Sequence, residues 1–498
     1  MQDKAVQLLS TGIPGMDEVL GGGLTPNRIY LLEGEPGAGK TTAGLQFLNE
    51  GVRRGETVVY ITLAENREEL ADVAASHGWD TSPMHVHEVL PDEKLLAPEE
   101  QYSIFHPSEV EMADTMRNIL SVVEQYQPAR LVLDSLSELQ LLAESPLRYR
   151  RQVLALKQFF SKRNCTVLLL DDRTASHAVG DLQVRSIAHG VISLEHNVRD
   201  YGVERRQLRV IKHRGRQVLG GMHDFVLVRG GLEVFPRLVA AQSRGIGDRG
   251  QLGTGIAELD QMLGGGVEEG TSTLIVGPPG TGKSSLALQF VIASMRRGDK
   301  AAVFLFEESV SNMLHRADGL KQSVRQGLES GQVAIRQVDP GELSPGQFAA
   351  KVRQAVEDGA RVVVIDSLNG YLNAVPDERF LTTHLHELLT FLGQHRVLSI
   401  LVGVQQGMLA PSMSSALDAS YVADNVLMLR YFELDGEIRQ AISVFKKRGG
   451  PHERTLRLFT MDPNGMRVGA VLRGYRGLLT GIPVPVQAPR PADGQEPT

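Results

Sequence analysis

The stretch GEPGAGKTTAGLQF begins at Gly34, and a near-copy, GPPGTGKSSLALQF, begins 243 positions later at Gly277. The duplication reaches well beyond these loops. TGIPGMDEVLGGGL from Thr11 is matched by TGIAELDQMLGGGV from Thr254 at the same offset. RLVLDSLSEL, ending at Leu139, answers to RVVVIDSLNG, ending at Gly370, and LRVIKHRG from Leu208 answers to ISVFKKRG from Ile442. Order and rough spacing hold throughout, so the chain reads as two copies of one domain. A length of 498 residues accommodates that, at roughly 150 or more residues per domain.

The first copy is expected over 1–240 and the second over 254–475. The Gly-rich, polar stretch 241–253 serves as linker. The segment 476–498 comprises a loop-like stretch and the tail VPVQAPRPADGQEPT, which is too rich in Pro and polar residues to bury a core and is expected to be disordered. Within each copy, short apolar runs alternate with amphipathic stretches. STLIVG precedes the second loop and SSLALQFVIASMRRG follows it with apolar residues at helical spacing. AAVFLFEE, RVVVIDS, VLSILVGV and NVLMLRYF read as strands apolar on both faces. That pattern predicts an α/β fold, a mostly parallel sheet between layers of helices, repeated twice.

Both loops fit G-x-x-x-x-G-K-[ST], which binds phosphate through its backbone. Glycines let the chain curl so that several N–H groups point at one phosphate chain, and the following helix adds its positive end. The candidate nucleotide contacts are Gly37, Ala38, Gly39, Lys40, Thr41 and Thr42 in the first copy. In the second they are Gly280, Thr281, Gly282, Lys283, Ser284 and Ser285. Lys40 and Lys283 would reach the β- and γ-phosphates of ATP, while Thr41 and Ser284 would place a hydroxyl on Mg²⁺. Asp134 and Asp366 each end an apolar run and precede Ser, the Walker-B arrangement that holds the metal through water.

The copies differ at a third element. The second reads FLFEES, with Glu307 and Glu308 adjacent; the first reads ITLAEN, with Ala64 opposite Glu307 and only Glu65 opposite Glu308. A carboxylate beside the γ-phosphate can orient or deprotonate the attacking group, so Glu65, Glu307 and Glu308 are candidate catalytic residues. Glu307 joins Thr41 and Ser284 as a candidate metal contact. Neighbouring strand residues face opposite ways, so the two glutamates are not interchangeable unless the strand has already ended. A fourth element is Lys-x-Arg: Lys212 and Arg214, matched by Lys446 and Arg448. These cations either cap a solvated strand end or reach a γ-phosphate held by a neighbouring subunit, as an arginine finger does.

As an ensemble these motifs resemble the KaiC family, tandem ATPases of the RecA superfamily, across nearly the whole chain. The resemblance implies two tandem RecA-like P-loop domains, two stacked hexameric rings, and ATP at subunit interfaces. It implies slow hydrolysis in the first ring, and in the second serine/threonine autophosphorylation with Glu307 as base. It also implies a cytoplasmic, clock-type or signalling switch read by KaiA-like or KaiB-like regulators or by signalling kinases. Ser76 and Leu320 fall where the family contacts the base or ribose. YRGLLTGIPV resembles the family's C-terminal regulatory loop. The family's phosphorylated Ser-Thr pair falls on Ser420 and Tyr421, where the tyrosine carries its hydroxyl several ångströms further out than a threonine would. Ala64 leaves the first ring to lean on Glu65.

Other features weigh little. Cys165 lies in an apolar run and reads as a packing thiol; one cysteine forms no internal disulfide, which fits a reducing compartment. The net charge of -7 gives no electrostatic footprint for nucleic acid or membrane. His85 and His87 share one face of an expected strand, and His384 and His386 face apart on an expected helix; neither pair has a third ligand at a usable spacing. Two rival readings remain at this stage, a DNA-dependent ATPase of the RecA type and a non-catalytic scaffold that ATP holds together.

Overall fold

The computed structural model describes residues 7–89, 107–143, 145–173, 184–198, 202–239, 250–339, 341–373, 378–404, 423–463, 465–478 and 484–485. Chain contacts divide the molecule into two units, Met1–Arg237 and Leu238–Thr498.

The first unit is built on one sheet. Its strands are β1 (Ile29–Gly34), β2 (Val58–Thr62), β3 (His85–Glu88), β4 (Arg130–Asp134), β5 (Thr166–Asp172), β6 (Gly190–Asn197), β7 (Arg205–His213), β8 (His223–Val228) and β9 (Gly231–Phe235). They lie in the order β3-β2-β4-β5-β1-β6-β7-β8-β9. The pairs from β3 through β6 are parallel. Those from β6 through β9 form an antiparallel meander.

Alternation along the central strands explains the two helix layers. Leu32, Val132, Leu168 and Leu170 pack with Leu45, Phe47 and Leu48 of the helix Lys40–Arg53 and Leu70 of the helix Arg67–Ser76. Their neighbours Leu31, Leu131, Leu133 and Leu169 face the other way. They meet Ile119 of the helix Pro107–Tyr126, Leu139 of Leu136–Leu142 and Tyr149, Val153 and Phe160 of Pro146–Ser161. A strand clothed on both faces is apolar along most of its length, which is why β1, β2 and β5 read as hydrophobic runs broken only near their ends, as at Glu33 and Asp171. Cys165 is buried in the second layer, and burial pushes its thiol up to about 12.

The second unit opens with a short ribbon, β10 (Gln251–Leu252) against β11 (Val267–Glu268). Its main strands are β12 (Ser272–Gly277), β13 (Lys300–Leu305), β14 (Val333–Gln337), β15 (Ala360–Asp366), β16 (Leu398–Val404), β17 (Asn425–Leu434), β18 (Glu437–Lys447), β19 (Arg457–Asp462) and β20 (Gly465–Val471). Their order, β14-β13-β15-β16-β12-β17-β18-β19-β20, repeats that of the first sheet position for position. The α/β architecture expected from the repeat is therefore what each unit adopts. The antiparallel meander goes beyond that expectation. β17 pairs with β18 along its whole length; Asn425–Leu429 is buried throughout, and beyond it Phe432 is buried again.

One buried charge ties the first unit together. Arg130, fully buried at the start of β4, has its Nε 2.5 Å from Glu56, and its Nη1 donates to the carbonyls of Ser10 at 2.8 Å and Phe47 at 3.1 Å. Its guanidinium also lies over the Phe47 ring at 4.8 Å. Removing one member of a buried ion pair strands its partner. Arg130→Ala should destabilise this unit by about 3 kcal/mol. Urea unfolding followed by the fluorescence of Trp79, the chain's one tryptophan, measures the loss.

Candidate nucleotide site

Each site sits where the central strand β1 or β12 turns into a helix. The helices Lys40–Arg53 and Lys283–Arg297 are preceded by Gly39 and Gly282, with φ of 101° and 88°. An L-residue is strained there, and in the second copy a Cβ on Gly282 would also have to push aside the Met461 sulfur, 2.3 Å away. The meander strand β19 thus braces the second loop. Leu227 of β8 stands in the corresponding place beside Gly39. Both lysines are buried, and both bond to loop carbonyls. Lys40 donates to Gly34 at 3.1 Å and Glu35 at 2.9 Å, and Lys283 to Pro278 at 2.8 Å. Burial pushes the Lys283 ammonium down to about 8, although Asp366 and Glu307 nearby oppose the shift.

The Walker-B carboxylates meet the loop hydroxyls. Thr41 donates to Asp134 at 3.2 Å, and Ser284 is hydrogen-bonded to Asp366. Burial raises the pKa of both aspartates, and these hydrogen bonds hold the rise in check. A hydroxyl and a carboxylate converging at the head of the helix are hard oxygen donors, which fits a magnesium ion carried with a phosphate chain. Asp134 also accepts a hydrogen bond of 2.6 Å from Tyr60, whose counterpart in the second unit is Val303.

The two adjacent glutamates part company. Both lie past the end of β13, yet their side chains take different partners. Glu307 accepts from the Ser367 hydroxyl at 2.7 Å, directly beside Asp366. Glu308 is gripped by Arg316, with Nη2 at 2.6 Å, and the same guanidinium donates to Ser285 at 2.9 Å. Glu308 is therefore neutralised, and Glu307 is the carboxylate left near Lys283. In the first unit Ala64 carries no such group. Glu65 keeps one buried carboxylate oxygen without a hydrogen-bond partner among the described residues. Burial, then the charge of Asp134, raises its pKa.

The Lys-x-Arg cations are engaged within their own units. Lys212 donates to the carbonyls of Arg185 at 2.7 Å, Ser186 at 3.2 Å and Ala188 at 2.8 Å, and Arg214 donates to Ser186 at 2.8 Å. Lys446 donates to Ala423 at 2.7 Å, and Arg448 approaches Asp424 at 3.5 Å. Burial and the adjacent arginine lower the pKa of Lys212 and of Lys446. Ser76 is exposed and donates to Val73 within its own helix. Its neighbour His77 approaches Thr42 at 3.5 Å and Val228 at 2.9 Å. Leu320 caps the helix Val310–Gly319 and is half-buried. Ser420 and Tyr421 lie outside the described residues, as does most of 476–498.

Sequence reasoning missed Arg316, Tyr60, His77 and Asp172, whose carboxylate lies 2.6 Å from the Lys40 ammonium. No spacing rule points to them, because each reaches the site across a helix or an adjacent strand.

Comparison with known proteins gives the family. The profile of the ATPase KaiC matches residues 9–239 and again 252–472. The circadian clock protein KaiC3 of Synechocystis is 25% identical over 484 residues, covering 96% of this chain and 95% of that protein. The circadian clock oscillator protein KaiC of Acaryochloris marina is 25% identical, covering 97% and 92%. That of Parasynechococcus marenigrum is 26% identical, covering 96% and 93%. With both copies matched and both phosphate loops intact, the chain belongs to the KaiC family of ATPases, as a tandem of two such domains.

Proposed function

We propose that the chain binds Mg-ATP in both domains, over 1–240 and 254–475, and hydrolyses it at the subunit interfaces of a double hexameric ring. The observation that carries this reading is the pair of buried loop lysines, each at the head of a helix with a hydroxyl and a Walker-B carboxylate beside it. The magnesium ion would be held by Thr41 with Asp134, and by Ser284 with Asp366 and Glu307. When bound, the ion would neutralise phosphate charge. Lys40 and Lys283 bind the β- and γ-phosphates. Glu307 accepts a proton from, or orients, the group that attacks the γ-phosphate, while Arg316 keeps Glu308 out of that role. In the first domain Glu65 takes the task, with its partnerless carboxylate oxygen. Lys212, Arg214, Lys446 and Arg448 stand beside strand ends where a neighbouring subunit's phosphates would meet them in a closed ring, a heterologous contact.

In the second domain we assign serine/threonine autokinase activity as a companion to hydrolysis, with Ser420 as acceptor and Tyr421 the lesser candidate. The relatives named as clock proteins support a slow switch read by partner proteins. A helix long and apolar enough to cross a membrane does not occur among the described residues.

Turnover tests the reading. Lys40→Ala and Lys283→Ala should each abolish ATP binding in one domain, and the double variant should abolish hydrolysis. Glu307→Gln should slow second-domain chemistry by about a hundredfold or more, the scale of a lost acid–base group. Glu308→Gln, which alters a neutralised carboxylate, should cost far less; equal losses would remove the distinction.

The Lys283 ammonium gives a pH signature. It is the protonated amine that binds phosphate. In the empty site it loses its proton near pH 8. Affinity of the second domain for ATP should therefore be flat below that pH. Above it, affinity should fall by up to about tenfold per unit as binding has to take up a proton. Calorimetric titration of the Lys40→Ala protein between pH 7 and 9.5 reads this directly. Mass spectrometry after incubation with Mg-ATP should find phosphate on Ser420, and its absence would leave hydrolysis alone.

A further inference from the structure

The two phosphate-loop lysines are held differently. An ammonium has three N–H donors. Lys40 donates to the carbonyls of Gly34 and Glu35 and forms an ion pair with Asp172 at 2.6 Å. Lys283 has a single hydrogen-bond partner among the described residues, the carbonyl of Pro278, with the charges of Asp366 and Glu307 nearby. Strand register explains the difference. Asp172 ends β5 directly opposite Gly34, the residue at which β1 enters the loop. In the second unit Val404 ends β16 directly opposite Gly277. The same place in the fold thus carries a carboxylate in one domain and an apolar side chain in the other.

The Asp172 carboxylate is partly shielded, with 34% of its side chain exposed, and Lys40 is 8% exposed. An ion pair so placed is screened less by solvent than one on the surface. A triphosphate entering the first site must take Lys40 away from it. Once displaced, Asp172 stays beside the incoming negative charge. Tyr60 adds to the difference by occupying Asp134, where the second unit has Val303.

We propose that Asp172 is a positioning residue for Lys40, an internal counter-ion that ATP must displace, and that it lowers the first domain's own affinity for ATP. This rests on the reading of both sites as ATP sites. It assigns to Asp172 a role that neither the loop motif nor the Walker-B aspartate supplies.

The test uses the full chain and a fluorescent ATP analogue. In a Lys283→Ala background, which reports the first site alone, Asp172→Asn should tighten binding by about tenfold, the worth of a good partly shielded ion pair. Asp172→Glu, which keeps the charge, should stay near the parent value. In a Lys40→Ala background, Val404→Asp should weaken the second site by a similar factor. A merely structural aspartate predicts the opposite for Asp172→Asn, because a damaged site loses affinity. Unchanged or weaker binding by Asp172→Asn, in protein whose thermal unfolding matches the parent, overturns the inference. That result leaves the ATPase reading standing. Absence of analogue binding by the unaltered chain would instead overturn both.

Discussion

Each domain depends on a lysine held out of water at the foot of a loop made of backbone N–H groups. The strand before the loop is clothed on both faces, so its end is fixed by the core. The helix after it starts at a glycine whose conformation an L-residue resists, so its first turn and its lysine point one way. Burying that ammonium is costly. The protein offsets the cost with carbonyls in both domains and with Asp172 in one of them. Most of what distinguishes the two sites follows from how each lysine is compensated.

The second domain compensates its lysine differently. Its lysine has one bond, its pKa is depressed, and its Walker-B aspartate has no tyrosine leaning on it. Arg316 draws Glu308 aside and braces Ser285, which leaves Glu307 as the carboxylate beside the lysine. The first domain is compensated from within. Asp172, Asp134 and Glu65 gather about a single lysine, and like charges with burial raise the pKa of Glu65. Duplication followed by such changes at a few strand ends yields two sites with one architecture and different electrostatics.

The meander β7–β9, with its counterpart β18–β20, matters more than a sheet extension would suggest. It brings Leu227 and Met461 against the loop glycines. Its first strand carries Lys212 and Arg214, or Lys446 and Arg448, past the end of the parallel strands. There these cations bond to main-chain carbonyls or approach Asp424, so any role in trans requires that they exchange those partners for phosphate.

The chain's order of residues was enough to establish two copies, an α/β sheet in each, two phosphate loops and two strand-end aspartates. These are local features: the repeat is read by alignment, the loop is contiguous, and doubly buried strands are apolar along most of their length. It also showed that Ala64 breaks the symmetry of the carboxylates. Folding alone decided which glutamate stays beside the lysine, because Arg316 approaches Glu308 from a helix and Ser367 approaches Glu307 from just past the end of β15. It likewise brought Asp172 to Lys40 and Tyr60 to Asp134, across 132 and 74 positions of chain. Parallel-sheet register sets such meetings, and register comes from how whole strands pack, so no spacing in the sequence carries it.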